Sequence, residues 1–199
     1  ANTTGTRNTA VGYAALDANT TANDNTAVGY EALTAATAGA NTAVGKGALT
    51  ATTTGGSNTA VGYGSLGSNT TAADNTAVGL NALGANTTGA NNVAVGLNAG
   101  IDLTTGDNNT CLGPSAGNDL TTGDQNIMIG YNVKPGGGTE GYGIVISTDQ
   151  DSSKGSSTAF IAPNGGNVYQ DNNSADWATT SDERIKKNIE DNTTGLDVL

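Results

Sequence analysis

The chain has 199 residues, with 30 Gly, one Trp, one Phe and one Met, and much of its 35% hydrophobic content is alanine. A conventional globular core of large side chains is therefore hard to build from one copy. The formal charge is −11, and Arg7 and Lys46 are the only cations in residues 1–133, which argues against nucleic-acid binding and against attachment to an anionic membrane surface, since both need clustered Lys and Arg.

Cys111 is the one cysteine and there is no histidine. An intrachain disulfide, a Cys-rich metal site and the commonest general base are thereby removed, so no cofactor or metal is expected. No segment approaches the roughly 20 apolar residues of a membrane span. The chain opens in mid-repeat with no visible signal peptide, so native sequence is expected to precede it.

The motif Asn-Thr-Ala-Val-Gly recurs along the chain. Its glycines are Gly12, Gly29, Gly45, Gly62, Gly79, Gly96, Gly113 and Gly130, spaced by 17 residues except for one interval of 16. A period of this length is the signature of a solenoid, in which stacked coils complete one another's core and hydrogen bonding. The expected fold is all-β: a parallel β-roll of about eight 17-residue coils over residues 1–133. With coils stacked about 4.8 Å apart, the rod would be roughly 35–40 Å long.

Aligned on the glycine, the columns carry distinct chemistry. Four residues before it stand Asn8, Asn25, Asn41, Asn58, Asn75, Asn92, Asn109 and Asn126, without exception. This column is expected to form a structural ladder of side-chain amides between coils. An exposed asparagine row would instead suit glycan recognition. The next column is Thr except at Val93 and Ile127, and the column before the glycine is Val, Leu or Ile. These two share one face of a strand, and the Ala column between them (Ala10 to Ala94, then Cys111 and Met128) has the other. One face is expected to line the coil interior and the other to make a close subunit contact. The acceptance of Val and Ile in the Thr column points to apolar surroundings there, and disfavours an ice-binding threonine array.

After the glycine a second segment ends at Leu16, Leu33, Leu49, Leu66 and Leu83. A turn rich in Thr, Gly, Asn and Asp then closes the coil, since Gly and Asn tolerate positive φ. Few side chains are large, so further burial is expected from oligomerisation. Asp24 and Asp74, like Asp107 and Asp124, repeat at equivalent turn positions and read as solvated turn residues rather than as paired catalytic carboxylates or a calcium site. Sequons such as Asn86-Thr87-Thr88 follow from composition.

After Gly130 the motif ends and Lys134-Pro135-Gly136-Gly137-Gly138 reads as a loop. Short strands are expected at Gly143–Ser147, Ser156–Ile161 and Asn167–Tyr169, around a Pro163-Asn164-Gly165 turn, as a β neck over 134–180. Trp177 reads as a packing anchor between subunits.

The Asn-Thr-Ala-Val-Gly repeats over about residues 3–133 resemble the head repeat of trimeric autotransporter adhesins, which also occurs in phage tail fibres. That resemblance implies a homotrimer of packed β-rolls. Residues 180–189, Thr-Ser-Asp-Glu-Arg-Ile-Lys-Lys-Asn-Ile, resemble the start of the intramolecular chaperone of endosialidase-type tail spikes and fibres.

The second resemblance implies that 181–199 open a chaperone that assembles the trimer and then cuts itself off at Thr180–Ser181. Ser181 would be the nucleophile and Lys186 its partner, with Asp182, Arg184, Asn188 and Ile189 matching the signature. Lysine can activate serine if desolvation lowers its pKa. Residues five apart lie on opposite faces of a strand and about 140° apart on a helix, so a neighbouring subunit is expected to supply Lys186. Taken alone, the Ser-Asp-Glu-Arg run would read as a helix N-cap.

The resulting expectation is a phage tail-fibre component, located in the virion, that adheres to a host-surface glycan or protein and joins other tail proteins at its N-terminal side. Beyond one self-cleavage it would have no enzymatic activity. A bacterial trimeric adhesin and a polysaccharide-degrading tail spike are the alternatives.

Overall fold

The computed structural model describes residues 2–148, 156–162, 168–170 and 177–179. Each motif forms a three-residue strand one step before its glycine: β1 Thr9–Val11, β2 Thr26–Val28, β3 Thr42–Val44, β4 Thr59–Val61, β5 Thr76–Val78, β6 Val93–Val95, β7 Thr110–Leu112 and β8 Ile127–Ile129. Neighbours pair in parallel and in register, Thr on Thr, Ala on Ala and Val on Val, as in Thr59↔Thr76 and Ala60↔Ala77. We number the coils 1–8 from their ladder asparagines, so that coil 5 spans 75–91 and coil 6 spans 92–108. The chain is thus an all-β solenoid of parallel strands.

The ladder continues after the motif ends. Ile144–Ser147 (β9) pairs in parallel with β8, Ile127 opposite Ile144 at the same 17-residue interval. Ala159–Ala162 (β10) pairs in parallel with β9. Val168–Gln170 (β11) and Trp177–Thr179 (β12) then add antiparallel, so one twelve-stranded sheet runs through the repeats and the neck strands. The 163–167 turn lies outside the described residues.

The two faces of the strands differ, with the small Ala column inside and the Thr and Val columns outside. The Ala column lines the interior: Ala27, Ala43, Ala60, Ala77, Ala94, Cys111 and Met128 are all buried. The Thr and Val columns point outward, with Val93 and Ile127 each 37% exposed. In coils 1–7 the interior instead takes one leucine, as at Leu33, Leu49, Leu66 and Leu83, and in coil 8 Val133 is buried.

The segment after the glycine is a run of turns, not a second strand. Four positions in each of coils 1–6 hold positive φ, the motif glycine among them, and in coils 1–5 one is the buried leucine itself, at φ 56, 54, 52, 49 and 51 for Leu16, Leu33, Leu49, Leu66 and Leu83. A left-handed leucine is uncommon because its Cβ crowds the following carbonyl. Here the conformation aims the side chain inward, and its amide donates to the next coil, as Leu66 N–H does to Ala82 O at 3.0 Å.

The motif glycines are fixed by the coil stacked against them. At Gly79, with φ 137, an added Cβ would lie 2.6 Å from the carbonyl carbon of Gly96. Gly79→Ala is expected to destabilise the chain by about 3 kcal/mol or more, from overlap and backbone strain together. Gly47→Ala is the control. Its φ is 67 and nothing lies within 4 Å of an added Cβ, so it should cost only about 1 kcal/mol. Thermal unfolding followed by circular dichroism measures both.

Candidate functional site: the asparagine spine and the uncharged outer face

The ladder asparagines from Asn25 to Asn126 are buried, and each is bonded to the coil that follows it. The side-chain oxygen accepts from the backbone N–H of the next asparagine: Asn41 Oδ1 from Asn58 N at 3.0 Å, Asn75 Oδ1 from Asn92 N at 2.8 Å, Asn109 Oδ1 from Asn126 N at 2.9 Å. The Nδ2 donates to a carbonyl fourteen residues on: Asn58 to Ala72 O at 2.9 Å, Asn75 to Gly89 O at 2.9 Å, Asn92 to Gly106 O at 2.8 Å. Asn8 starts the spine, its Oδ1 accepting from Asn25 N at 2.9 Å. Asn126 extends it past the last motif, accepting from Gly143 N at 2.9 Å. A column used in this way presents no exposed asparagine row for a glycan.

Two further columns hold adjacent coils. A threonine ladder runs through Thr53, Thr70, Thr87, Thr104 and Thr121, each hydroxyl donating to the carbonyl of the corresponding residue one coil on, at 2.9–3.0 Å. In the turns, Asp107 Oδ1 accepts from Ala90 N at 2.7 Å and Asp124 Oδ1 from Asp107 N at 2.8 Å. These stacked acids act as caps for the backbone of the preceding coil. Among the described residues no group of three or more His, Cys, Asp or Glu could hold a metal. Asp24, which ends the first coil, pairs with Arg7 just before it, and that hydrogen bond holds its carboxyl below the ordinary range. Asn86, in a sequon, is fully buried.

The outward face is built from three columns. The Thr and Val columns of the strands are joined by the residue just after each glycine: Tyr13, Tyr30, Lys46, Tyr63, Leu80, Leu97, Pro114 and Tyr131. No Asp or Glu occurs in any of the three, although the chain has 18 acids. Val11, Tyr63 and Leu97 are 58%, 54% and 51% exposed. The Tyr13 and Tyr30 rings stack at 5.2 Å between centroids with 15° between planes. Lys46 Nζ sits between two rings, 5.5 Å from the Tyr30 centroid and 5.7 Å from that of Tyr63. The face is continuous, apolar and nearly chargeless. The sequence reading had not singled out the third column, although Tyr recurs there at the period of the motif.

Thr180, Ser181 and Lys186, expected to carry self-cleavage, lie outside the described residues, as does the side chain of Trp177. No protein-family model matches the chain, and no similar curated protein or solved structure is found.

Two outcomes follow from the interior. Asn75→Ala leaves the buried Asn92 N–H unpaired and takes one of two donors from the Gly89 carbonyl, which keeps Asn86 Nδ2, and is expected to cost about 2 kcal/mol. The partly exposed Asp107→Ala should cost about 1 kcal/mol, and urea unfolding compares the two. Burial pushes the Cys111 thiol up to about 12. The thiolate is the reactive form, so iodoacetamide at pH 8 should leave Cys111 unlabelled in the folded chain and label it fully in urea.

Proposed function

We propose that the chain is a segment of a homotrimeric fibre of a virion, in which copies associate through the outward Thr–Val–Tyr/Leu face and the rod serves adhesion to a host-surface glycan or protein. The observation that carries this reading is that face: apolar, without an acid in any coil, on a chain of charge −11. A continuous apolar surface of this kind marks an association site. A further copy of the chain suits it best. Identical columns at one spacing match coil for coil, and the contact leaves the acids outside, where repulsion between like-charged chains is least.

The phage assignment rests on the resemblance of residues 180–189 to the self-cleaving chaperone. In this reading the chaperone assembles the trimer, and the Ser181 hydroxyl adds to the Thr180 carbonyl as a neutral Lys186 of a neighbouring chain accepts its proton. The amide breaks as an ester forms, the freed Ser181 nitrogen takes that proton, and water then hydrolyses the ester. Dependence on a second chain would make cleavage report correct assembly. Asp107 and Asp124 are engaged as backbone caps and Asp24 pairs with Arg7, which gives the polysaccharide-degrading alternative no support.

Light scattering on residues 1–180 is expected to give the mass of a trimer. Val44→Asp with Val95→Asp, both on the outward face, should yield monomers with an unchanged far-UV spectrum. A monomeric parent chain would overturn the assembly. Co-expressed chains carrying Ser181→Ala and Lys186→Ala are expected to restore cleavage in mixed trimers, at the intact Ser181. Uncut mixed trimers would count against a lysine donated by a neighbour.

A further inference from the structure

Within the leucine-bearing coils 1–7 the interior changes its packing once, between coils 5 and 6. In coils 1–5 the buried leucine stands four residues after the motif glycine, and the position three further on is small or polar: Asn19, Ala36, Thr52, Asn69, Asn86. In coils 6 and 7 the two positions exchange. Gly100 and Gly117 take the first, and the buried Leu103 and Leu120 take the second. Each of these coils keeps one buried leucine, so composition alone conceals the change.

The exchange leaves a mismatch at the junction. Asn69 Nδ2 donates to Thr52 Oγ1 at 3.2 Å, and Asn86 Nδ2 donates to Asn69 Oδ1 at 3.2 Å. The next residue of this column is Leu103, which offers no donor, and Asn86 Oδ1 is buried without a partner. The other such buried oxygen among the described residues is Oδ1 of Asn98, in coil 6. The apolar packing shifts at the same place. Where Gly100 has no side chain, Leu83 Cδ2 lies 3.0 Å and Cys111 Sγ 3.7 Å from the point a Cβ would occupy. The Cys111 thiol likewise fills the hollow left by Gly117.

We infer that the solenoid consists of two cooperative blocks meeting between coils 5 and 6, and that it opens first along the plane between Asn86 and Leu103. In a stacked array each junction contributes its own free energy, so the weakest one sets where opening begins. At this junction opening hydrates the Asn86 oxygen, which had no partner, whereas junctions with paired side chains exchange paired groups for hydrated ones.

Native-state hydrogen exchange compares equivalent amides across junctions. Leu66 N–H donates to Ala82 O and Leu83 N–H to Ala99 O, while Thr70, Thr87 and Thr104 N–H donate to Thr87, Thr104 and Thr121 O. Leu83 and Thr87 are expected to exchange about tenfold faster than Leu66, Thr70 and Thr104. Equal rates, or a fastest interior junction elsewhere, would overturn the inference.

The combined substitution Gly100→Leu, Leu103→Asn and Cys111→Ala gives coil 6 the interior of coil 5. Position 100 has φ 59, close to the 51 of Leu83, and the new leucine tip enters the space the thiol vacates. The fast junction should then move one coil, to the amide of Thr104. A fast junction that stays between coils 5 and 6 would also overturn the inference. If this variant does not fold, the comparison of amides in the parent chain decides alone.

Discussion

Adjacent coils lie one β-ladder spacing apart, about 4.8 Å. At that distance a buried polar atom of one coil can bond the coil above or below it. The asparagine spine is the solution repeated through the rod. Its oxygen takes the N–H of the asparagine above, its amide takes a carbonyl from the turn that closes its own coil, and both ends of the buried group are satisfied. The motif glycine obeys the same spacing. A side chain there would meet the backbone of the next coil, so the corner can repeat only as glycine. Strand, corner and turn are thus fixed by contact between coils, not by preferences within one coil. Three-residue strands are sufficient because each is paired on both sides.

The period, the parallel strands and the asparagine ladder were legible because each is a repeated identity. The direction of the strand faces was harder to read. Val93 and Ile127 replace Thr on the outward face, while in most coils the apolar interior is filled by alanine and one leucine. The left-handed leucines were hidden for another reason. Glycine or asparagine is the usual sign of positive φ, whereas here the need to aim a leucine inward overrides the local cost at Leu49 and Leu66. The extension of the ladder into Ile144–Ser147 left a weaker trace. Gly143 stands 17 residues after Asn126 but carries no amide, so the spacing persists where the motif does not.

The same inspection explains why the change of core went unread. Moving a leucine by three residues, from the column of Leu83 to that of Leu103, preserves hydrophobicity, turn composition and period. Only the stacked geometry shows that an amide then faces a methyl group. Interior columns are read vertically, from coil to coil, and a horizontal scan of any one coil gives no warning.

The inversion of size, with small residues inside and larger ones outside, links stability to assembly in the proposed fibre. Apolar area is what burial converts into stability, at roughly 25 cal/mol per Å², and in this chain much of the area carried by Val, Tyr and Leu lies outside the coil. It can be removed from water only by another molecule. The spine then has a second consequence. By holding every coil at one spacing it places the outward columns at that spacing too, so a second copy meets the same side chains at the same intervals along the rod. A buried hydrogen-bond ladder, invisible at the surface, thereby sets the register at which surfaces of identical chains can match.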